Sequence, residues 1–371
     1  MKDYQIYYLL GDILTLDRRP EQRGHIVRQL QKSKLRPNLF IRVANWHWLL
    51  QALYPRIAKH ELEECFSAEL LAYLKMVAEL NEKRTEALLE QMEEITRLMN
   101  DSGIEPIFLK GAGHIIDQLY SHPAERIMLD IDFMVPDAVF EKAAKILLQE
   151  GYYQKRSYDA EDKHQIKHYP RLHKKEAAAP VEIHRTLVGK EYSEALDVED
   201  VNNELVRPSA ITGCYVLSDR HKLLHNFIHS QLEHNGHRLA QFSLRNLYDF
   251  YLIGKRSNPV DLFQSLSIYK RQSAGYLAAC DETFGTAYLD RYGHKRTGKI
   301  YIFRYNTNLR FRWIILARNL YFRITHSYIR KPVRALHDRK LRRHLIKNLS
   351  SRRWYKKHLR KYKSLFMTGR N

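Results

Sequence analysis

The stretch Ile127-Met128-Leu129-Asp130-Ile131-Asp132-Phe133-Met134-Val135 decides how this chain is read. It is apolar throughout except for two aspartates, set two positions apart. As a strand, its period of two places Ile127, Leu129, Ile131 and Phe133 on one face and Asp130 and Asp132 together on the other. Neighbouring carboxylates on one face repel, which is costly in an apolar strand unless a cation neutralises them. A hard divalent ion does this, because Mg²⁺ takes one or two carboxylates and completes its shell with phosphate oxygens and water. An edge strand with two solvated acids, or acids paired with nearby Lys and Arg, reads the same way on this pattern alone.

A second stretch tips the balance. In Pro180-Val181-Glu182-Ile183-His184-Arg185, Glu182 and His184 also share one face of a strand, and Pro180 suits its first position. A third carboxylate on an adjacent strand would complete a two-metal site that clamps the attacking and leaving oxygens in phosphoryl transfer. That chemistry asks the protein mainly for positioning and charge neutralisation.

Outward from these stretches the pattern is mixed. Glu105-Pro106-Ile107-Phe108-Leu109 reads as a short buried strand, Lys110-Gly111-Ala112-Gly113 as a tight turn, and 114–120 as a short helix. The acidic strand covers 126–135. Pro136 then opens a helix to about 149, which Gly151 ends. A strand pair follows over 165–173 and 181–187, turning through Lys174-Lys175-Glu176. Upstream, Ser67 is the N-cap of a long helix whose apolar residues Leu70, Leu74, Val77, Leu88, Met92, Ile95 and Met99 form one stripe. Asn81 and Arg84 fill a gap in that stripe, either as a polar break or kink, or with Arg84 facing a cleft and meeting an anion. Asp101-Ser102-Gly103 ends the helix, and 219–253 is helical again. The expected fold is α+β, a small mixed β-sheet core embedded in a largely helical protein. Its regions are helical 1–100, the α+β core 101–190, a helical part 191–298 that completes the cleft, and a basic, aromatic-rich tail 299–371.

The ordered set Leu109-Lys110-Gly111, Leu119-Tyr120, Arg126, Asp130-Ile131-Asp132 and Gly151-Tyr152 resembles the nucleotidyltransferase family that carries an L-K-G turn ahead of a D-x-D strand. Glu182-Ile183-His184 matches that family's later E-x-H. The pairing is also similar to the nucleotidyltransferase toxins of bacterial abortive-infection systems, and both groups belong to the polymerase-β superfamily. The similarity spans residues 40–255. It implies that Asp130, Asp132 and Glu182 are the catalytic, metal-holding acids for two Mg²⁺ ions, with Glu182 orienting a metal or accepting the acceptor's proton. It implies a nucleotide-binding set of Lys110, Gly111, Arg126 and His184. Gly111 would let the backbone approach the triphosphate, while Lys110 and the forked donors of Arg126 would neutralise it. Asp249 matches a helix acid of the family, and a substrate-pocket role is open for it and for His229. One departure stands out: superfamily members commonly have Gly-Ser at the turn, and Lys110-Gly111-Ala112 offers no hydroxyl.

Composition narrows the remaining classes. The apolar fraction of 44% and charged fraction of 28% are those of a globular protein. Cys65, Cys214 and Cys280 form no C-x-x-C pair, which argues against a disulfide framework or zinc knuckle and fits a reducing compartment. Asp12 interrupts the apolar N-terminal stretch, and no uncharged run reaches the roughly 20 residues of a spanning helix. A cytoplasmic location is expected, with peripheral membrane attachment left open. His225 and His229 are spaced to hold zinc but lack the Glu of H-E-x-x-H, so core or surface histidines are the expectation. His164, His168 and His173 are expected to line the cleft or face solvent.

The net charge of +20 is unevenly placed. Residues 301–371 hold 21 Lys or Arg against one acid, Asp338; taken from totals of 62 and 42, this leaves 41 of each sign in 1–300. Such a block is a handle for a polyanion, either RNA or an anionic membrane surface, or else a solvated face that keeps the protein soluble. Arg310-Phe311-Arg312-Trp313 and Arg352-Arg353-Trp354-Tyr355-Lys356-Lys357 mix aromatics with charge. That mixture suits stacking on RNA bases, an interfacial helix on lipid, or a subdomain packed on the core. The expected activity is Mg²⁺-dependent transfer of an NMP group from a nucleoside triphosphate to an acceptor. The alternatives are a toxin-like enzyme that modifies tRNA, and a non-catalytic protein that binds RNA or a membrane surface through residues 299–371.

Overall fold

A computed structural model describes residues 1–33, 35–155, 167–339, 342–343, 345–346 and 355–356. Helices α1 (Asp3–Thr15), α2 (Arg23–Lys32), α3 (Pro37–Trp46) and α4 (Leu50–Lys59) lead to the long α5 (Ala68–Asn100). The middle of the chain is built from β1 (Ile107–Phe108), α6 (Lys110–Ile116), β2 (Ile131–Met134), α7 (Phe140–Gln149), β3 (Tyr153–Gln154), β4 (Leu172–His173), β5 (Val181–His184), α8 (Val198–Asn203) and β6 (Tyr215–Val216). Then come α9 (Asp219–Phe227), which continues as a π-helical stretch Ile228–Glu233, α10 (Gly236–Leu239), α11 (Leu244–Ile253), α12 (Pro259–Ser265), α13 (Lys270–Phe284), α14 (Tyr288–Tyr292), α15 (Lys295–Arg310), α16 (Arg312–Thr325) and α17 (Lys331–His337). The fold is α+β, mostly helical around one small mixed sheet. Two compact units divide the chain: Met1–Arg238 with Phe242–Ile302, and Leu239–Gln241 with the residues from Phe303 onward. The sheet and the acidic stretch belong to the first. Within the second, Asn308 Nδ2 donates to the carbonyls of Leu239 and Ala240 at 2.7 and 2.9 Å.

The sheet runs β3-β4-β5-β2-β1-β6. β2 is antiparallel to β1 and parallel to β5, so the two acid-bearing strands are direct neighbours. Alternation sorts their side chains. Ile131 and Phe133 of β2, with Val181 and Ile183 of β5, enter one core together with Leu88, Met92, Ile95 and Met99 of α5 and Ala143, Ala144 and Leu147 of α7. The opposite face of both strands carries Asp132, Glu182 and His184.

The long helix forms as expected from Ser67, whose Oγ accepts from Leu70 N at 3.3 Å. Its polar gap is a polar break in a helix that runs unbroken, and the gap residues hold a loop. Asn81 Nδ2 donates to the carbonyls of Ala124 (2.8 Å) and Arg126 (3.3 Å), Thr85 Oγ1 to Pro123 O (3.1 Å), and Arg84 Nη2 to Met128 O (3.2 Å). Two turns on, Gln91 brackets Ala179, donating to its carbonyl at 2.8 Å and accepting from its amide at 2.9 Å. One helix thus anchors the segments that lead into both β2 and β5.

Several expected boundaries shift for identifiable reasons. The acidic strand begins at Ile131 rather than at 126, and Leu129 is 49% exposed instead of entering the core. Ile131 N donates to Pro180 O at 2.9 Å, but Pro180 has no N–H to continue the ladder opposite Asp130. The later strand stops at His184. The helix expected over 114–120 starts at Lys110, which takes a left-handed φ of 49° to turn out of β1. Gly113 lets that helix lie on the strand, since a Cβ there would sit 2.6 Å from Phe108 O. Of the strand expected over 165–173, residues 165 and 166 lie outside the described residues, as does His164; β4 covers its end. The helix expected from Pro136 opens with a 3₁₀ turn, Asp137–Val139, before α7, and Gly151 ends it at φ 85°. The span 219–253 is broken into α9, its π extension, α10 and α11.

Candidate active site

In the β2–β5 register Asp132 stands directly opposite Glu182, and Met134 opposite His184. Asp132 (4% exposed), Glu182 (9%) and His184 (1%) are buried, so their charges meet in a medium that screens little. Each of the three offers a ligand atom within 4.8 Å of the others. Asp130 lies in the bend just before β2, half-buried at the rim of this group. The pair is therefore not two consecutive same-face positions of one strand, as expected; the acids still gather in one place.

Two cations offset them. Lys110 Nζ donates to Asp132 Oδ1 at 3.0 Å. Arg171, next to β4, spans the other two acids: its Nη2 is 2.6 Å from Asp130 Oδ2 and 2.7 Å from Glu182 Oε1, and its Nε donates to Glu182 at 2.9 Å. His184 Nε2 donates to Asp132 Oδ1 at 2.8 Å, which leaves Nδ1 as a buried acceptor with no partner. Burial alone would raise the Asp132 carboxyl, but Lys110 and the bond from His184 outweigh it and hold Asp132 well below the usual carboxylate range. Asp130 moves the other way, raised by burial and then by Asp132 and Glu182. Burial lowers His184 and keeps the imidazole neutral. Environment thus separates two aspartates of the same motif, lowering Asp132 and raising Asp130.

The expected nucleotide-binding residues fall around this centre in different ways. Lys110 is on Asp132, and His184 acts on the same carboxylate. Gly111 is buried against Met128 and Arg126: a Cβ on it would lie 2.9 Å from Met128 Sδ and 3.5 Å from Arg126 Nη2. Arg126 is paired with Asp249 at 3.2 Å, and Tyr120 Oη donates to the same carboxylate at 2.7 Å. Asp249 is therefore a buried partner of Arg126. Among the described residues, His225 and His229 do not join an acid to form a metal cluster. Their rings are 6.1 Å apart, and His229 Nε2 meets His234 Nε2 at 3.1 Å. Sequence reasoning missed Arg171. The signal was present in the hairpin joining β4 to β5: pairing Leu172 with Val181 brings Arg171 across from Glu182.

A D-x-D entering one strand, a carboxylate opposite it on the parallel neighbour and a Lys-Gly turn beside both lie together in one site. The chain belongs to the uncharacterised nucleotidyltransferase family, whose model matches residues 33–273. It is a transferase, and its general chemistry is nucleotidyl transfer. No curated protein and no solved structure matches the chain. The donor set fits a hard divalent cation, since three carboxylates converge where a guanidinium and an ammonium already occupy the cation-facing positions.

Proposed function

We propose that the protein uses Mg²⁺ to move a nucleoside monophosphate from a nucleoside triphosphate to an acceptor nucleophile. Asp130, Asp132 and Glu182 would hold two ions, which when bound neutralise the triphosphate and polarise the reacting phosphate. Lys110 and His184 fix the Asp132 carboxylate in its ionised form and set its direction. Lys110 and Arg126 would face the triphosphate, and Gly111 lets Met128 and Arg126 pack against the turn. The acceptor oxygen bonds to the α-phosphorus as the bond to the pyrophosphate oxygen breaks, and Glu182 is the carboxylate placed to take the acceptor's proton. The observation that carries this reading is the Asp132–Glu182 pair in register across two parallel strands, with Asp130 joined to Glu182 through Arg171.

Each α-labelled nucleoside triphosphate, incubated with Mg²⁺ and either total cellular RNA or small hydroxyl acceptors, is expected to yield labelled product. Asp130→Asn and Asp132→Asn should each cut the rate by about a hundredfold or more. Undiminished transfer by a folded Asp132→Asn variant would remove the assignment. A second reading, in which RNA is the acceptor, is favoured by Phe303, Phe311, Trp313, Tyr321 and Tyr328, all of them exposed in the basic tail. In that case the label enters RNA and the yield falls steeply with salt. Attachment to an anionic membrane surface is the competing use of the tail; no helix among the described residues is long and apolar enough to cross a membrane. Absence of transfer with every triphosphate leaves the non-catalytic alternative.

A further inference from the structure

Beside the Lys110-Gly111 turn the buried charges do not balance. Arg245 and Asp249 lie one turn apart on the same side of α11. Asp249 is committed to Arg126 (3.2 Å) and to the Tyr120 hydroxyl (2.7 Å). Arg126 donates once more, from Nη1 to Ile127 O at 2.7 Å, while its Nε is buried without a partner. Arg245 is the outlier. No acid pairs with it among the described residues, its Nη2 is 3.5 Å from Asn246 Oδ1, and its guanidinium lies 5.7 Å from the Trp48 ring centroid. Its Nε is also buried and unpartnered. His114, with Nδ1 3.8 Å from Asp249 Oδ2, adds no negative charge. Burial and then Arg126 push Arg245 down to about 10, with Asp249 acting the other way.

Two guanidiniums stand near one carboxylate, and Arg245, half-buried with its Nε enclosed, has no acid partner among the described residues, so a ligand can supply the counter-charge. The missing partner is an anion that accepts several hydrogen bonds, and phosphate oxygens match the planar arginine fork. Position identifies which phosphates. Arg126 Nη2 lies 3.5 Å from where a Cβ on Gly111 would sit, one residue past the Lys110 that meets Asp132, so Arg126 flanks the turn beside the carboxylates. We propose that Arg245, together with Arg126, seats the distal phosphates of the incoming nucleoside triphosphate, and that Asp249 is the positioning residue that holds Arg126 in place. This rests on the nucleotidyl-transfer reading, in which the α-phosphate lies at the carboxylates.

The test uses the full chain in EDTA, with inorganic tripolyphosphate and orthophosphate as probes in calorimetry and thermal melting. Tripolyphosphate should bind the unmodified protein and raise its Tm. Arg245→Gln and Arg245→Met should weaken that binding by about tenfold or more and abolish the shift in Tm. Without ligand, Arg245→Met should be at least as stable as the unmodified protein, because it removes a half-buried charge with no acid partner among the described residues; a purely structural arginine would give a clear loss. Unchanged affinity in Arg245→Gln, equal binding of orthophosphate, no binding by the unmodified protein, or a destabilised ligand-free Arg245→Met overturns the inference. Unchanged tripolyphosphate affinity in Arg245→Gln, with transfer still abolished by Asp132→Asn, removes this pocket and leaves the proposed function standing. Arginine-dependent tripolyphosphate binding without transfer from any triphosphate does the reverse.

Discussion

Arg171 carries the heaviest local duty of any side chain at the acidic centre. It meets Asp130 and Glu182 through three short contacts, and with Lys110 on Asp132 it makes two cations for three carboxylates. A divalent cation would answer the same carboxylates, so ion and arginine compete for them. Arg171→Gln is therefore expected to lower stability in EDTA by about 1 kcal/mol, a modest figure because the guanidinium is partly exposed. Mg²⁺ should restore that loss and half-saturate the variant at a lower concentration than the unmodified protein. Denaturant titrations with EDTA and with graded Mg²⁺ read both effects, and a variant indifferent to Mg²⁺ would count against a metal at these acids. At this scale the sequence was readable wherever period two applied: Ile131, Asp132, Phe133, Glu182, Ile183 and His184 sort as alternation dictates. It was silent on Arg171, because opposing Arg171 to Glu182 requires the hairpin register. Nor could it show that the His184 imidazole is bonded to Asp132, which depends on the register of β2 and β5.

Among the elements, α5 is the ruler of the site. Its apolar residues join the core, while its buried polar residues hold the loop before β2 and the loop before β5 at fixed separation along one rigid rod. Gln91 makes two bonds to Ala179, two residues before β5, and a third to Tyr152 Oη at 3.1 Å. Replacing it by leucine strands a buried amide and a buried carbonyl, so a loss of about 1–3 kcal/mol is expected. Changing the exposed Glu90 beside it to glutamine should alter stability by about 0.5 kcal/mol or less. Urea unfolding of both variants checks the contrast, and equal effects would refute the anchoring role. The stripe of α5 and its N-cap were legible because helical period and capping are local. The meaning of Asn81, Arg84 and Gln91 was not, since their partners lie far along the chain. Strands β1, β3 and β6, two residues each, are too short for any period to appear; β1 was found through its apolar run and the turn after it, and β3 and β6 were not found.

For the whole molecule, the α+β class was legible because helical and alternating segments succeed one another with clear breaks, and the charge asymmetry of the tail could be counted directly. A further property depends on burial, which sequence alone does not give: several histidines are enclosed beside cations. His114 is held neutral by burial and then by Arg126, Lys222, Arg256 and Arg245, and His225 by burial and then by Lys110, Lys167 and His184, so both titrate well below the ordinary range. The sign follows from proton counts. In acid the unfolded chain protonates these imidazoles near pH 6.5 while the folded chain does not, so U binds more protons and stability falls as pH falls. Between pH 7.5 and 5.5 each group contributes about 1.4 kcal/mol of loss, or about 3 kcal/mol for the pair. The shifts at Asp132 and Asp17, both lowered, act the same way only at lower pH, so this window isolates the histidines. Denaturant midpoints at pH 7.5, 6.5 and 5.5 should show the decline, to which other lowered histidines such as His229 and His184 add, and His225→Gln, which removes one titrating group, should reduce the loss by about 1.4 kcal/mol. A stability profile level down to pH 5.5 would mean that these imidazoles accept protons in the folded state, and that the cationic surroundings drawn here for Lys110 and Arg126 are wrong.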